Sequence, residues 1–126
     1  MTLDWSALRA AAADVASRSY SPYSGFHVGA AGVLADGTTI RAANVENASY
    51  PVGICAETAL VGVLVAGGHG RGDLVAVAVT DPDGQDLAPC GRCRQLLHEM
   101  GGGELLVNER RMDEWLPGAF APEDLA

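Results

Sequence analysis

Apolar residues return along this chain in three rhythms. In the first, Trp5, Leu8, Ala12 and Val15 come round at spacings of three and four, with Arg9, Asp14 and Arg18 between them. That spacing predicts an amphipathic helix capped by Asp4. In the second, short apolar runs are bounded by turn residues. Residues 26–34 follow Ser21-Pro22-Tyr23-Ser24-Gly25 and read as a strand that is small and apolar on both faces, and Asp36-Gly37 predicts a hairpin into a second, antiparallel strand at 38–45. Residues 74–79 form a continuous apolar strand of the kind covered on both faces, closed by Asp81-Pro82-Asp83-Gly84, and 104–108 form a short further strand. In the third rhythm, 57–66 is apolar nearly all round and ends at Gly67-Gly68, which predicts a buried helix. Residues 90–100, closed by three glycines, predict another. From Thr38 onwards the order is βαβαβ, which packs as a sheet with helices on its faces and right-handed crossovers. Residues 114–120 have apolar anchors but no decisive period.

Composition narrows the functional classes. At 126 residues the chain is expected to form one domain, 1–126, large enough to bury a core. Its longest apolar stretch, 59–66, falls far short of the roughly 20 residues that span a bilayer, and no basic-then-apolar leader opens it. The expectation is a cytoplasmic protein with no membrane partner. Eight basic against sixteen acidic residues give a formal charge of -8, which repels polyphosphates, so nucleic acid is a poor partner. Three cysteines are an odd number, which a disulfide framework explains badly and a metal or catalytic site explains better.

Those cysteines occupy two fragments, Ile54-Cys55-Ala56-Glu57 and Pro89-Cys90-Gly91-Arg92-Cys93-Arg94-Gln95. Cys90 and Cys93 fall on one side of the first turn of one predicted helix, and Cys55 opens the other. Successive parallel crossovers place helix N-termini at one sheet edge, so the three thiols can converge. Helix N-termini stabilise thiolates, and three thiolates suit Zn²⁺ while leaving the fourth tetrahedral position to water, as in a catalytic site. Of the histidines, His27 and His69 lack ligand spacing, while His98, beyond the first turn of its helix, stays open as a fourth ligand. Glu57 faces the metal if Cys55 is the cap and Glu57 stands in the first turn; alone, it reads equally well as an acid complementing the helix dipole.

These fragments resemble the zinc-dependent cytidine deaminases, in their small homotetrameric, three-cysteine class. Three further blocks share the resemblance: Ser21 to Ala31, the run Asn44-Val45-Glu46-Asn47-Ala48-Ser49-Tyr50, and Leu116-Pro117-Gly118-Ala119-Phe120. Together they cover most of the chain. The resemblance implies a three-layer α/β/α fold around a mixed sheet of about five strands. It implies one zinc per chain on Cys55, Cys90 and Cys93, with Glu57 as the catalytic acid and base. It also implies substrate contacts from Phe26, Asn44, Glu46, Ala48, Tyr50 and Ala56, with Phe120 reaching a neighbouring subunit's site in a homotetramer. The implied activity is hydrolytic deamination of cytidine and 2′-deoxycytidine to uridine and 2′-deoxyuridine plus ammonia, in pyrimidine salvage. Another cytosine nucleoside, such as a nucleoside antibiotic, is the alternative substrate, and a non-enzymatic zinc module is the rival from another class.

Two departures stand out. Most three-cysteine relatives follow Cys-Ala-Glu with Arg, where this chain has Thr58. The surplus charge of three thiolates is then expected to fall to the two helix N-termini together with Arg92 or Arg94. Residues 109–113 are also shorter than the hairpin many relatives carry, so the fifth strand is expected to be truncated or missing.

Overall fold

The computed structural model describes residues 2–125. Helix α1 (Trp5–Ala16) forms where the spacing places it. Asp4 Oδ1 accepts the N–H of Ala7 at 3.0 Å, which satisfies one of the free donors of the first turn. Its buried stripe is Leu8, Ala12 and Ala16, with Val15 at the margin.

Strand β1 (Gly29–Leu34) begins later than the apolar run suggests, because residues 26–28 are held mainly by the Asn44 side chain, with one backbone bond from the Asn44 N–H to the Val28 carbonyl at 3.1 Å. The hairpin at Asp36-Gly37 is present: Gly37 has φ +89, and the Leu34 N–H donates to the Thr38 carbonyl at 2.8 Å. It leads into β2 (Thr39–Ala43), antiparallel to β1. Then follow α2 (Ala56–Ala66), β3 (Leu74–Thr80), α3 (Gly91–Gly101), β4 (Leu106–Val107), β5 (Arg110–Arg111) and α4 (Met112–Trp115).

The strands make one mixed sheet in the order β2-β1-β3-β4-β5. β1 runs antiparallel to both neighbours, so β2 and β3 point the same way and α2 crosses over between them; β3 and β4 are parallel, joined by α3. The fifth strand is truncated but not missing. Asn108 and Glu109, both at positive φ, turn the chain tightly enough for a two-residue β5 to pair with β4.

Helices cover both faces of the sheet. Ala76 and Ala78 of β3 pack under α1 with Leu8 and Ala12. Val77 and Val79 of the same strand point the other way, into a larger core with Leu60 and Leu64 of α2, Leu97 of α3 and Met112 of α4. The thin alanine side lets α1 lie close: a Cβ on Gly29 would come within 1.9 Å of the Ala12 carbonyl oxygen. Burial of each such leucine contributes about 1.5–3 kcal/mol, which holds α2 and α3 against the sheet.

Helix α2 departs from expectation on one face. Leu60 and Leu64 are fully buried, but Val63 and Val65 are 42% and 53% exposed. Its all-round apolar sequence exceeds what one chain can cover.

Candidate metal centre and substrate cleft

The carboxyl ends of β2 and β3 meet at one edge of the sheet, where Gly29 of β1 lies between Ala43 and Thr80. Both core helices start there. Cys55 is the N-cap of α2 and Cys90 the N-cap of α3, and Cys93 stands one turn into α3. The three sulfurs lie within 4.8 Å of one another. Zinc held tetrahedrally at about 2.3 Å from each sulfur sets the sulfurs roughly 3.8 Å apart. Cys55 Sγ and Cys90 Sγ are 3.8 Å apart, so the donor set fits in chemistry and in spacing.

Burial pushes the Cys55 and Cys93 thiols up. Cys90 also bears a burial cost, but hydrogen bonds from the Cys93 backbone N–H and from the neighbouring thiols outweigh it and hold Cys90 below the ordinary thiol range. A divalent ion among them would reverse the balance for Cys55 and Cys93 and reinforce it for Cys90, since a coordinating thiol is deprotonated outright. His98 takes no part. Among the described residues its buried Nδ1 has no hydrogen-bond partner, and it borders a different cavity, near Arg71 and Glu123.

A cleft of about 540 Å³ opens over the thiols, with Cys55, Ala56, Glu57 and Cys90 among its lining residues. Glu57 is 4% exposed, and burial pushes its carboxyl above the ordinary range. Its place in the first turn after the Cys55 cap turns it into the cleft beside the sulfurs, as the cap reading requires. Phe26, Asn44, Glu46 and Tyr50 form the opposite wall. Ala48 and Phe120 are exposed and do not line this cleft.

Two of the wall residues prove to be fasteners. Asn44 accepts the Val28 N–H through Oδ1 at 2.9 Å and donates through Nδ2 to the Phe26 carbonyl at 2.9 Å and to Ser21 Oγ at 3.3 Å. Glu46 accepts the backbone N–H groups of Tyr23 and Ser24, at 3.0 and 3.1 Å, and the Ser24 hydroxyl. The Ser24 hydroxyl, opposed by burial and aided by those two N–H groups, holds the Glu46 carboxyl below the usual range. Together the pair pins the loop of residues 21–28 and so sets the position of Phe26. Tyr23, Asn47, Leu87 and Ala88 also line the cleft, though the sequence reading did not select them. The Tyr23 ring lies tilted against that of Tyr50, at 58° with centroids 6.0 Å apart, a contact between distant positions that no local pattern in the sequence marks.

The structure separates the two arginines expected to balance the charge of the sulfurs. Arg94 is committed elsewhere: Nε donates to the Pro89 carbonyl and Nη1 to the Trp115 carbonyl, both at 2.8 Å. Arg92 instead donates through Nη1 to Thr58 Oγ1 at 3.4 Å, and that hydroxyl lies 3.6 Å from Cys93 Sγ.

A three-layer α/β/α fold with three cysteine sulfurs gathered at helix N-termini defines a zinc-binding hydrolase of the deaminase type. Comparison with known proteins gives the same class: the family described as the cytidine and deoxycytidylate deaminase zinc-binding region matches residues 4–109. The chain belongs to that family, and zinc is its cofactor. A cytidine deaminase of Mycobacterium tuberculosis is 47% identical over 127 residues, covering 98% of this chain and 94% of the relative. One from Halalkalibacterium halodurans is 44% identical over 117 residues, covering 85% and 86%. The crystal structure of cytidine deaminase from M. tuberculosis matches with a TM-score of 0.90 at 47% identity, covering 94% of this chain and 98% of that one.

Proposed function

We propose that the chain, acting as one catalytic domain, hydrolyses cytidine and 2′-deoxycytidine to the corresponding uridines and ammonia, and serves pyrimidine salvage. The observation that carries this reading is the grouping of three sulfurs, with Cys55, Cys90 and the buried Glu57 carboxyl lining one cleft of nucleoside size.

Cys55, Cys90 and Cys93 hold the metal. Bound there, zinc supplies Lewis acidity that makes a water nucleophilic near neutral pH. Glu57 would take one proton from the attacking water and deliver it to N3 of the base, then take the second from the hydroxyl left on C4 and give it to the departing amine, so that one water is consumed and one ammonia released. Its raised pKa suits a group that must both accept and return a proton. Ala56 borders the base through its backbone, and Phe26 closes the pyrimidine's side of the cleft, held by the Asn44 clamp. A carboxylate accepts about four hydrogen bonds, and three of Glu46's are taken within the protein, leaving capacity for a ribose hydroxyl. Asn44 and Tyr50 border the same sugar, with Ala48 outside it on the loop between them. The Glu46 charge and the acidic surface disfavour a 5′-phosphate, so the free nucleoside is the substrate.

The exposed face of α2 and the outward Phe120 support a homotetramer in which Phe120 completes a neighbouring site. Among the described residues no helix is long and apolar enough to cross a membrane, in keeping with a cytoplasmic nucleoside enzyme. Purified protein mixed with cytidine or 2′-deoxycytidine should abolish the cytosine absorbance band and release one ammonia per nucleoside, with the 5′-monophosphate turned over far more slowly. Turnover of neither nucleoside would overturn the reading.

A further inference from the structure

We propose that Thr58 and Arg92 form a hydrogen-bond relay that holds Cys93 in place as a thiolate ligand, so that both are positioning residues for the metal centre. The inference rests on the zinc reading above and assigns a task to two residues outside the ligand set.

Three thiolates around a divalent ion leave one net negative charge. Cys93 is the sulfur least able to share that charge with water: it is fully buried, whereas Cys90 is exposed and Cys55 half-buried. Its compensation therefore has to come from the protein. Among the described residues, the one side chain other than a cysteine within hydrogen-bonding reach of a ligand sulfur is Thr58, with Oγ1 3.6 Å from Cys93 Sγ.

The direction of the relay follows from what each group can do. A guanidinium has no acceptor, so at 3.4 Å Arg92 Nη1 must donate to Thr58 Oγ1. A metal-bound thiolate has no proton, so toward Cys93 the Thr58 hydroxyl must donate. Accepting on one side and donating on the other, the hydroxyl carries the Arg92 charge to a sulfur the guanidinium does not itself touch. Thr58 stands in the first turn of α2 and Cys93 in the first turn of α3, so the relay also ties the two ligand-bearing helices at the depth of the metal. Arg94, next in sequence to Cys93, is excluded from this task by its two carbonyl partners.

The test compares wild type with Thr58→Val, Thr58→Ser, Arg92→Gln and the Val/Gln double variant. The readouts are the rate of zinc transfer to the chelator 4-(2-pyridylazo)resorcinol and the thiolate-to-metal charge-transfer band of Co²⁺-substituted protein. Loss of a group that orients a ligand costs about 10–100-fold in metal affinity, so Thr58→Val should release zinc at least about 10-fold faster and shift the cobalt band. Thr58→Ser should stay near wild type. Arg92→Gln should show a smaller change of the same sign, and it should add nothing in the Thr58→Val background, because Arg92 acts through the hydroxyl. Wild-type zinc release and an unshifted band in Thr58→Val overturn the relay, as does an Arg92→Gln effect that persists undiminished in the double variant. Should Thr58→Val fail to fold, Arg92→Gln at its exposed position decides the matter, and wild-type zinc retention there overturns the relay. Wild-type protein that binds no zinc would overturn the metal reading itself, whereas one zinc per chain with indifferent variants overturns only the relay.

Discussion

Replacing Glu57 by Gln separates the chemistry from the metal centre. The carboxyl is 4% exposed and lies in the cleft beside the sulfurs, so the amide fits the same volume with nothing to repack. It is not one of the three atoms gathered for the metal, so zinc content should stay at one per chain. What the amide cannot do is accept and return a proton. A positioned acid–base group contributes roughly 10²–10⁴-fold, and Glu57 serves two transfers within one turnover. The expected loss in kcat is therefore at least about 10³-fold, or about 4 kcal/mol of barrier. The assay is the fall of cytidine absorbance, run beside metal analysis and a thermal melt on the same sample. Near-wild-type turnover would refute the assignment. So would a dead variant that had also lost its zinc, since Glu57 would then be a ligand.

Gly29→Ala should lower thermal stability by about 3 kcal/mol or more, read as a melting shift above roughly 10 °C, because the new methyl meets the Ala12 carbonyl of α1 at 1.9 Å. Glu46→Gln should loosen the loop that presents Phe26 and raise KM. The Glu46 pKa is lowered in the folded state, so its stabilisation is present above the unfolded value of about 4.3 and is lost as pH falls through the folded one. The melting difference between wild type and Glu46→Gln should therefore be present at pH 6 and vanish toward pH 3, and a difference independent of pH would contradict it. Phe120→Ala should impair catalysis by supplying no ring to its neighbour. Reassembled with Glu57→Gln chains, it should regain activity, since an intact carboxyl then meets an intact ring from another subunit; no recovery would place the ring's action within its own chain.

Residues close in sequence announced themselves. Asp4 before a three-four apolar spacing specifies α1, Asp36-Gly37 specifies the β1–β2 hairpin, and Cys90-x-x-Cys93 specifies two thiols on one turn. Each of these depends on backbone geometry over a few residues, which local side chains control. The span of β1 was less legible: residues 26–28 look like strand but are held by Asn44, which arrives sixteen residues later.

What the sequence determined by itself is therefore most of the elements, α4 excepted, and the chemical groups of the candidate site, three thiols with one carboxyl, because periodicity and helix capping are short-range effects. What only the tertiary structure decided is which groups meet. The 3.8 Å approach of Cys55 to Cys90, the pairing of Arg92 with Thr58 while Arg94 turns to Trp115, and the fastening of loop 21–28 by Glu46 each join residues far apart along the chain. Such contacts follow from how α2 and α3 seat their leucines on the sheet, a cooperative outcome of core packing that no single segment encodes.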